Sequence, residues 1–243
     1  MKEKLYTIPV TDAFHLNTEC PLCILRRDLE ERYIESLMNS GYMEPECRIR
    51  TNRLGFCARH NEMLCSMQNK LGIALMTHTH LQEILAELEA ACTGDEKEPF
   101  RLFKKTDRPQ PARILRKRLS TCMLCDEIEE TLTRYLQTIL YLYETDPSFQ
   151  SDYRNSKGFC LPHFADLLES AEKKMIGQKK ARFIQETSEL EIRQLKRTES
   201  DLSWFIQKYD YRNQDKPWGT SRGAAQRAVR KLRGGFSRDD TDD

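Results

Sequence analysis

Apolar residues recur every three or four positions through most of the chain, which is the spacing of one buried face on an α-helix. After an extended lead-in at "TIPVTDAF" (residues 7–14), we expect a helix to begin at the Cys20–Cys23 pair. Its apolar face consists of Leu25, Leu29, Tyr33, Ile34 and Leu37. No segment shows the period-two alternation of a half-buried strand, so the pattern predicts an all-α fold.

Two further helices are predicted before residue 93. A short one over "PECRIRTNR" (residues 45–53) leads to Gly55, and a long one runs from Cys57 to about Cys92. His78 lies in a seven-residue row with Leu71, Leu85 and Cys92, and we interpret it as an interior histidine. The stripe expected to face the core comprises Leu71, Leu75, Leu81, Ile84, Leu85 and Leu88.

The second half of the chain repeats this plan. A helix over residues 125–145 is followed by a short helix that opens at Asp146-Pro147. A long helical region begins at Cys160 and should break near Gly177. Its last part, over residues 179–212, is amphipathic and long enough to pack across the other half of the chain.

A nine-residue pattern, Asn-x-x-Gly-Phe-Cys-x-x-His, occurs twice, as "NRLGFCARH" (residues 52–60) and "NSKGFCLPH" (residues 155–163). Each copy follows a Cys-x2-Cys pair, with a gap of 34 residues (23 to 57) in the first case and 35 (125 to 160) in the second. The matched gaps indicate an internal duplication. We predict tandem helical repeats over 1–92 and 113–213, a linker over 93–112, and a basic tail with an acidic end over 214–243.

Each predicted repeat supplies one set of three cysteines and one histidine. Tetrahedral zinc takes four nitrogen or sulfur ligands, and residues three apart in the first turn of a helix share a face. We therefore predict two zinc ions, each joining two helix N-termini, where partial positive charge favours thiolates. Since protein atoms fill all four positions, no open position is left for metal catalysis. The sets are Cys20, Cys23, Cys57 and His60, and Cys122, Cys125, Cys160 and His163.

Other interpretations of these residues stay open. They can be buried thiols with two coincidental histidines, ligands of an iron–sulfur cluster, or a redox dithiol. Cys47, Cys65 and Cys92 belong to no pair, and we expect them to be small buried side chains.

Composition narrows the class of protein. The 243 residues are 32% charged and 39% hydrophobic, which suits long helices with one buried stripe each, and a net charge of +1 argues against polyanion binding by the whole molecule. The first residues lack an apolar run fit for a signal peptide, and no run is long enough for us to expect a membrane span. We therefore expect a cytoplasmic protein, in which reduced cysteines are metal ligands or free thiols.

The tail from residue 216 to residue 238 carries seven basic residues and no acidic one, before "DDTDD" closes the chain. One interpretation is a docked amphipathic helix with Ala225, Ala228, Val229 and Leu232 facing inward. The other is contact with nucleic acid or an acidic partner. The candidate contact residues are Arg222, Arg227, Arg230, Lys231 and Arg233.

Seven segments carry a resemblance to a known family: "KEKLYTIPV", "CPLC", the two Gly-Phe-Cys-x-x-His stretches, "LGIALMTHTHL", "TCMLC" and "PWGTSRGAAQRAVRKLRGG". Along nearly its whole length the chain resembles a family of cytoplasmic proteins of unknown function, found mainly in clostridia and related anaerobes. The resemblance implies no activity. All eight candidate ligands match the family's pattern.

Three functional hypotheses follow. The first is a zinc-stabilised helical scaffold that binds an unidentified macromolecule. The second is a thiol-redox or metal-responsive regulator that can contact nucleic acid through its basic tail. The third, an enzyme with a pocket around His78, Tyr33 and Tyr135, is less favoured, because no nucleophile–base pair, phosphate loop or dinucleotide motif is present. The oligomeric state is left open.

Overall fold

Eleven α-helices account for most of the chain in the computed structural model, which describes residues 6–93 and 110–238. No strand occurs in these two ranges, and the all-α prediction is confirmed. None of the helices described combines the length and the apolar character needed to cross a membrane. The helices are α1 Thr7–His15, α2 Pro21–Asn39, α3 Pro45–Leu54, α4 Ala58–Ser66, α5 Lys70–Thr93, α6 Pro111–Leu119, α7 Met123–Thr145, α8 Pro147–Asn155, α9 Leu161–Lys174, α10 Gly177–Gln207 and α11 Ala224–Arg233.

Two predicted boundaries are wrong. The lead-in expected to be extended is helix α1, because Val10, Ala13 and Phe14 share one buried face. The single long helix expected from Cys57 to Cys92 is divided into α4 and α5. Asn69 causes this break, since its side chain accepts from the Gly72 amide at 2.9 Å, as the N-cap of α5, and donates to the Met38 carbonyl at 2.8 Å.

Two further differences concern the predicted linker and tail. Helix α6 begins inside the predicted linker, at Pro111, and the rest of that linker from 94 to 109 lies outside the described residues. The acidic end of the tail, residues 239–243, lies outside them as well. Helix α10 ends at Gln207, about one turn before the predicted end.

The chain forms two compact units rather than two consecutive halves. Unit 1 comprises Met1–Asp28 and Glu130–Asp243, and unit 2 comprises Leu29–Glu129. The boundaries between the units fall within α2 and α7. Unit 1 therefore draws on both ends of the chain.

Aromatic rings form the core of unit 1. The ring of Tyr153 stacks on Phe14 at 5.7 Å and meets Tyr143 edge-to-face at 5.1 Å, and its hydroxyl group shares a 2.8 Å hydrogen bond with Thr187. Phe183 on α10 packs against Tyr143 at 4.8 Å. Such pairs add to the free energy gained by apolar burial. They join α1, α7, α8 and α10 around one core.

The core of unit 2 is aliphatic and sulfur-rich. Partly buried Tyr33, Tyr42 and Phe56 surround it. Because Met and Cys side chains adapt to irregular spaces, this composition suits the junction of several short helices. Its fully buried members are Ile34, Leu37, Met38, Leu64, Met76, Cys122 and Leu124.

Helix α11 packs on α9 and α10, but not with the face that its apolar residues predicted. Val229 is 63% exposed and Leu232 is 55% exposed, whereas Lys231 is only 1% exposed. The buried face follows Ala224, Arg227 and Lys231, because the two basic side chains find internal partners. Arg227 donates to the Asp201 carboxylate at 2.8 Å.

A polar cluster around Glu186 on α10 predicts an acid-sensitive contribution to stability. Burial opposes ionisation of this carboxyl group, but hydrogen bonds from Arg182, Tyr143 and Arg154 outweigh it and lower its pKa to about 2. Since the folded-state pKa lies below the unfolded value, the stabilisation is present at neutral pH and is lost as the pH falls from about 4 through about 2.

We expect Glu186→Gln to lower the free energy of unfolding at pH 7 by about 1–2 kcal/mol, after allowance for partial exposure. The difference from the wild type should shrink as the pH falls below about 4 and vanish below about pH 2. Urea denaturation at a series of pH values would measure it. Glu189→Gln, on the exposed side of the same helix, is the control and should change stability little. A Glu186→Gln loss that does not depend on pH would contradict the assignment.

Candidate metal centres

Two clusters of three cysteines and one histidine are formed, and in each the four candidate ligand atoms lie within 4.8 Å of one another. Site A contains Cys20, Cys23, Cys160 and His163. Site B contains Cys57, His60, Cys122 and Cys125. All eight predicted residues are therefore used, and each site can hold a metal ion.

The predicted pairing of these residues is wrong. Each predicted set joined the Cys-x2-Cys pair to the Cys-x2-His pair of the same repeat. In the structure, the Cys-x2-Cys pair of one predicted repeat meets the Cys-x2-His pair of the other. Site A lies wholly in unit 1 and site B wholly in unit 2.

The distances in site A match the edges of a tetrahedron around a metal ion. Cys160 Sγ lies 3.7 Å from Cys20 Sγ and 3.6 Å from Cys23 Sγ. His163 Nδ1 lies 3.4 Å from Cys20 Sγ, 3.5 Å from Cys23 Sγ and 3.2 Å from Cys160 Sγ. Zn–S bonds of about 2.3 Å at tetrahedral angles require S···S separations of about 3.8 Å, whereas a disulfide requires about 2.05 Å.

Site B has the same geometry. Cys57 Sγ lies 3.9 Å from Cys125 Sγ. His60 Nδ1 lies 3.2 Å from Cys122 Sγ, 3.3 Å from Cys57 Sγ and 3.4 Å from Cys125 Sγ. All nine cysteines of the chain are free thiols.

Every candidate ligand occupies the first turn of a helix. Cys57 and Cys160 are the N-cap residues of α4 and α9, while Cys20 and Cys122 directly precede α2 and α7. The second ligand of each pair follows three residues later, on the same face. Each site thus joins two helix N-termini, as predicted, and the partial positive charge there stabilises thiolates.

A glycine with positive φ turns the chain into each Cys-x2-His helix. Gly55 has φ +60° and Gly158 has φ +75°, values that favour glycine. A Cβ at Gly158 would lie 2.5 Å from Glu191 Oε2, the atom that accepts from the Phe159 amide at 2.8 Å. A Cβ at Gly55 would lie 2.5 Å from Nε2 of His80. The glycine of the repeated motif is therefore required by both conformation and space.

Site A is covered by the C-terminal segment. Lys231 donates to the carbonyl oxygens of Glu19 at 2.9 Å, Lys157 at 2.6 Å and Phe159 at 3.1 Å. It thereby ties together the two chain segments that carry Cys20 and Cys160. A Cβ at Gly234 would lie 3.5 Å from Cys160 Sγ, so the chain passes directly over the sulfurs.

Site B is held differently and is less enclosed. The Met123 amide donates to the Gly55 carbonyl at 3.0 Å, and the Thr121 hydroxyl donates to the Leu54 carbonyl at 2.8 Å. Site A cannot form the first of these bonds, because Pro21, at the equivalent position of α2, has no amide hydrogen. Cys57 and Cys125 are partly exposed, whereas Cys20 and Cys160 are fully buried.

A carboxylate orients the histidine of site B. Glu30 Oε1 lies 3.0 Å from His60 Nε2, and Arg59 donates to the same carboxylate at 2.5 Å. A proton on Nε2 leaves Nδ1, the atom that faces the three sulfurs, with a free lone pair. This carboxylate–histidine pair is the usual support of a metal-binding imidazole.

The pKa values of the ligand groups show that the clusters favour charge on some groups and oppose it on others. Burial opposes protonation of His60, but the Cys122 sulfur and the Glu30 carboxylate raise its pKa to about 10. Burial likewise opposes the Cys122 thiolate, yet hydrogen bonds from His60 and the backbone lower its pKa to about 6. Burial and neighbouring sulfurs raise the pKa of Cys20 well above its ordinary value. A bound cation would displace the remaining protons.

The five basic residues of the tail that were predicted to contact nucleic acid or an acidic partner are not gathered into a site. Lys231 is buried and Arg227 is paired with Asp201, so neither is presented to an external partner, whereas Arg222 and Arg233 are exposed. Arg230 is half-buried on α11.

The interior positions expected for three further residues are wrong. His78, Cys65 and Cys92 are exposed. Cys47 is half-buried. Of the two tyrosines in the enzyme hypothesis, Tyr135 is buried against Tyr6 and Tyr33 packs at the edge of the unit 2 core.

Several residues that support the two sites carry no motif. Glu30 is one of many acidic residues on an amphipathic helix, so nothing marks it in the sequence. Lys231 was detectable in principle, since Ala224, Arg227 and Lys231 share one helical face.

A family model described as a family of unknown function (DUF6062) matches residues 1–239. This chain belongs to that family. The match includes both sites and the C-terminal segment around Lys231 and Gly234 that covers site A. No curated protein and no solved structure gives a significant match to the chain.

Replacing the glycine next to site A tests the turn that positions Cys160. We expect Gly158→Ala to lower the free energy of unfolding by about 2–4 kcal/mol, because backbone strain adds to the clash with Glu191. Gly177→Ala is the matched control, since Gly177 has φ +61° but no atom within 4 Å of its Cβ position. It should cost about 1 kcal/mol. Equal losses in urea denaturation would show that the Glu191 contact is unimportant.

Proposed function

We propose that sites A and B each bind one zinc ion and that the protein is a zinc-stabilised helical scaffold. The observation that carries the proposal is the tetrahedral spacing of four soft ligand atoms at each site. Zinc is favoured over other divalent ions because three thiolates and one imidazole form a common closed zinc set. An iron–sulfur cluster is less well supported, because four ligand atoms within 4.8 Å of one another leave room for one ion.

A structural role fits the position of the ions. Each joins segments that are distant in sequence, with 137 residues between Cys23 and Cys160 and 68 between Cys57 and Cys125. Structural zinc contributes on the order of 10–16 kcal/mol in zinc-finger peptides at neutral pH, comparable to the whole stability of an ordinary domain. With four protein ligands at each site, the ions hold helices rather than activate a substrate.

Metal content in paired variants tests both the ions and their ligand sets. The wild-type protein should contain about two zinc ions by elemental analysis, as expected for two closed sites. Cys20→Ser with His163→Ala removes two ligands from site A and should leave one ion. Cys20→Ser with His60→Ala damages both sites and should leave none.

Cys65→Ser, at an exposed cysteine outside both sites, is the control and should retain both ions. A wild-type protein without zinc after purification in metal-replete medium would end the proposal. If Cys20→Ser with His60→Ala kept one ion and Cys20→Ser with His163→Ala kept none, the ligands would instead pair within each predicted repeat.

Site B also supports a second candidate function, a thiol-redox or metal-responsive regulator. The supporting observation is that Cys57 and Cys125 are partly exposed. A hydroperoxide can take two electrons from two zinc-bound thiolates, which form a disulfide. The oxidant takes up two protons and becomes an alcohol and water, and zinc leaves.

If site B is redox-active, mild hydrogen peroxide should release one zinc ion at least about tenfold faster than the other, because exposed thiolates react first. A chromophoric chelator would follow the release. Cys57→Ser should lose the fast phase, whereas Cys47→Ser, at a half-buried cysteine outside both sites, should keep it. Zinc that stays bound until the protein unfolds would favour the purely structural role.

Several parts of the proposal rest on the sequence alone. The internal duplication, a clostridial origin and a cytoplasmic location stay predictions. Contact of the tail with nucleic acid is supported only by the exposed Arg222 and Arg233 and by half-buried Arg230. The interaction role of the scaffold requires a surface for a partner.

A further inference from the structure

Helix α5 turns an apolar face to solvent. Four leucines on it are substantially exposed: Leu71 at 65%, Leu75 at 36%, Leu81 at 51% and Leu85 at 48%. These were expected to form the core stripe of the helix, and their exposure corrects that prediction. An exposed contiguous apolar patch of this kind marks interaction sites in soluble proteins.

The opposite side of α5 holds the helix firmly in unit 2. Met76 is 1% exposed and belongs to the core. Arg48 donates to the Leu75 carbonyl at 2.9 Å, and Arg118 donates to the Glu87 carboxylate at 3.0 Å. His80 bonds to the Asn52 carbonyl at 2.6 Å. Because the buried side is anchored along most of its length, the orientation of the leucine face is fixed by packing.

The exposed residues follow a seven-residue repeat. Leu71, His78, Leu85 and Cys92 occupy one position of the heptad, and Ala74, Leu81 and Leu88 occupy the position three residues later. Of these seven side chains, all except half-buried Leu88 are exposed. Apart from His78, these residues are apolar, and apolar residues at two such positions over three heptads are the pattern by which two helices pack side by side.

The charge and the exposed area of this face of α5 favour a second copy of the chain as its partner. Between Lys70 and Glu83 the helix carries no acidic or basic residue other than histidine, so this first half of the face can meet a second copy without like-charge repulsion. The four leucines expose roughly 350–400 Å² together, and Ala74, His78 and Cys92 add to it, within the range of functional patches. Two such faces together approach the lower end of stable interfaces, about 1,200 Å².

We propose that the exposed face of α5 binds the same face of a second copy of this chain, giving a two-fold symmetric dimer. The contact is self-complementary, as a two-fold axis requires. The inference rests on the proposed scaffold role, because the second copy would be the partner that a scaffold requires. It requires no particular metal at either site.

Sedimentation of the zinc-loaded full chain from about 1 to 100 μM tests the dimer. The wild type should sediment with twice the mass of one chain. Leu81→Glu with Leu85→Glu should raise the dimer dissociation constant by about a hundredfold or more, because four carboxylates would enter an apolar contact. Leu232→Glu is the matched control, since Leu232 is 55% exposed on α11, and should leave the dimer unchanged.

Zinc content and helical content of the variants separate this inference from the metal proposal, since both should stay at the wild-type level. A photo-crosslinking amino acid at Gln82 gives a second measurement that does not depend on the glutamate variants. It should join two copies through peptides that cover residues 71–92. A wild type that is monomeric at 100 μM, glutamate variants that still dimerise, or crosslinks to another protein segment would each overturn the inference.

Discussion

Each cluster requires ligand pairs from two helix N-termini to complete one tetrahedron, and the packing of both units depends on this constraint. A thiolate at the start of a helix meets the dipole of its own helix, and the three thiolates of a site repel one another until a cation or protons intervene. The spacing of three residues places both ligands of a pair on one side of the first turn. The direction of each helix is then fixed relative to the other. In unit 1 this joins α2 to α9, and in unit 2 it joins α4 to α7.

The two sites use the same ligands but different supports. At site A, a lysine from the last helix donates hydrogen bonds to three carbonyl groups beside the ligands, and the chain after that helix lies over the sulfurs. At site B, backbone and threonine hydrogen bonds join the two segments, and a glutamate orients the histidine. One centre is consequently enclosed and the other half-open. Equivalent motifs do not make equivalent environments.

The helical class, most helix starts and all eight candidate ligands could be read from the sequence, because periodicity and ligand spacing are local properties. The pairing of these ligands into two sites could not be predicted from the sequence. Joining Cys23 to Cys160 rather than to Cys57 increases the closed loop about fourfold, which costs only about 1.2 kcal/mol of additional chain entropy. That amount is small beside the free energy of a metal site, so spacing does not discriminate between the two arrangements. Apolar periodicity indicated the wrong side of α5 and of α11, because each helix has a second face whose tertiary partners bury it instead.

The exchange of ligand pairs also has a consequence for biosynthesis. A ribosome releases Cys20, Cys23, Cys57 and His60 before the second ligand pair of either native site has been translated. This early group is a complete set of the same chemistry, and a zinc ion that enters it would be held by the wrong four atoms. Native site B becomes possible only after Cys125 emerges, and native site A only after His163. If sites A and B bind zinc as proposed, maturation of the nascent chain requires that the ion bind late or exchange between ligand sets.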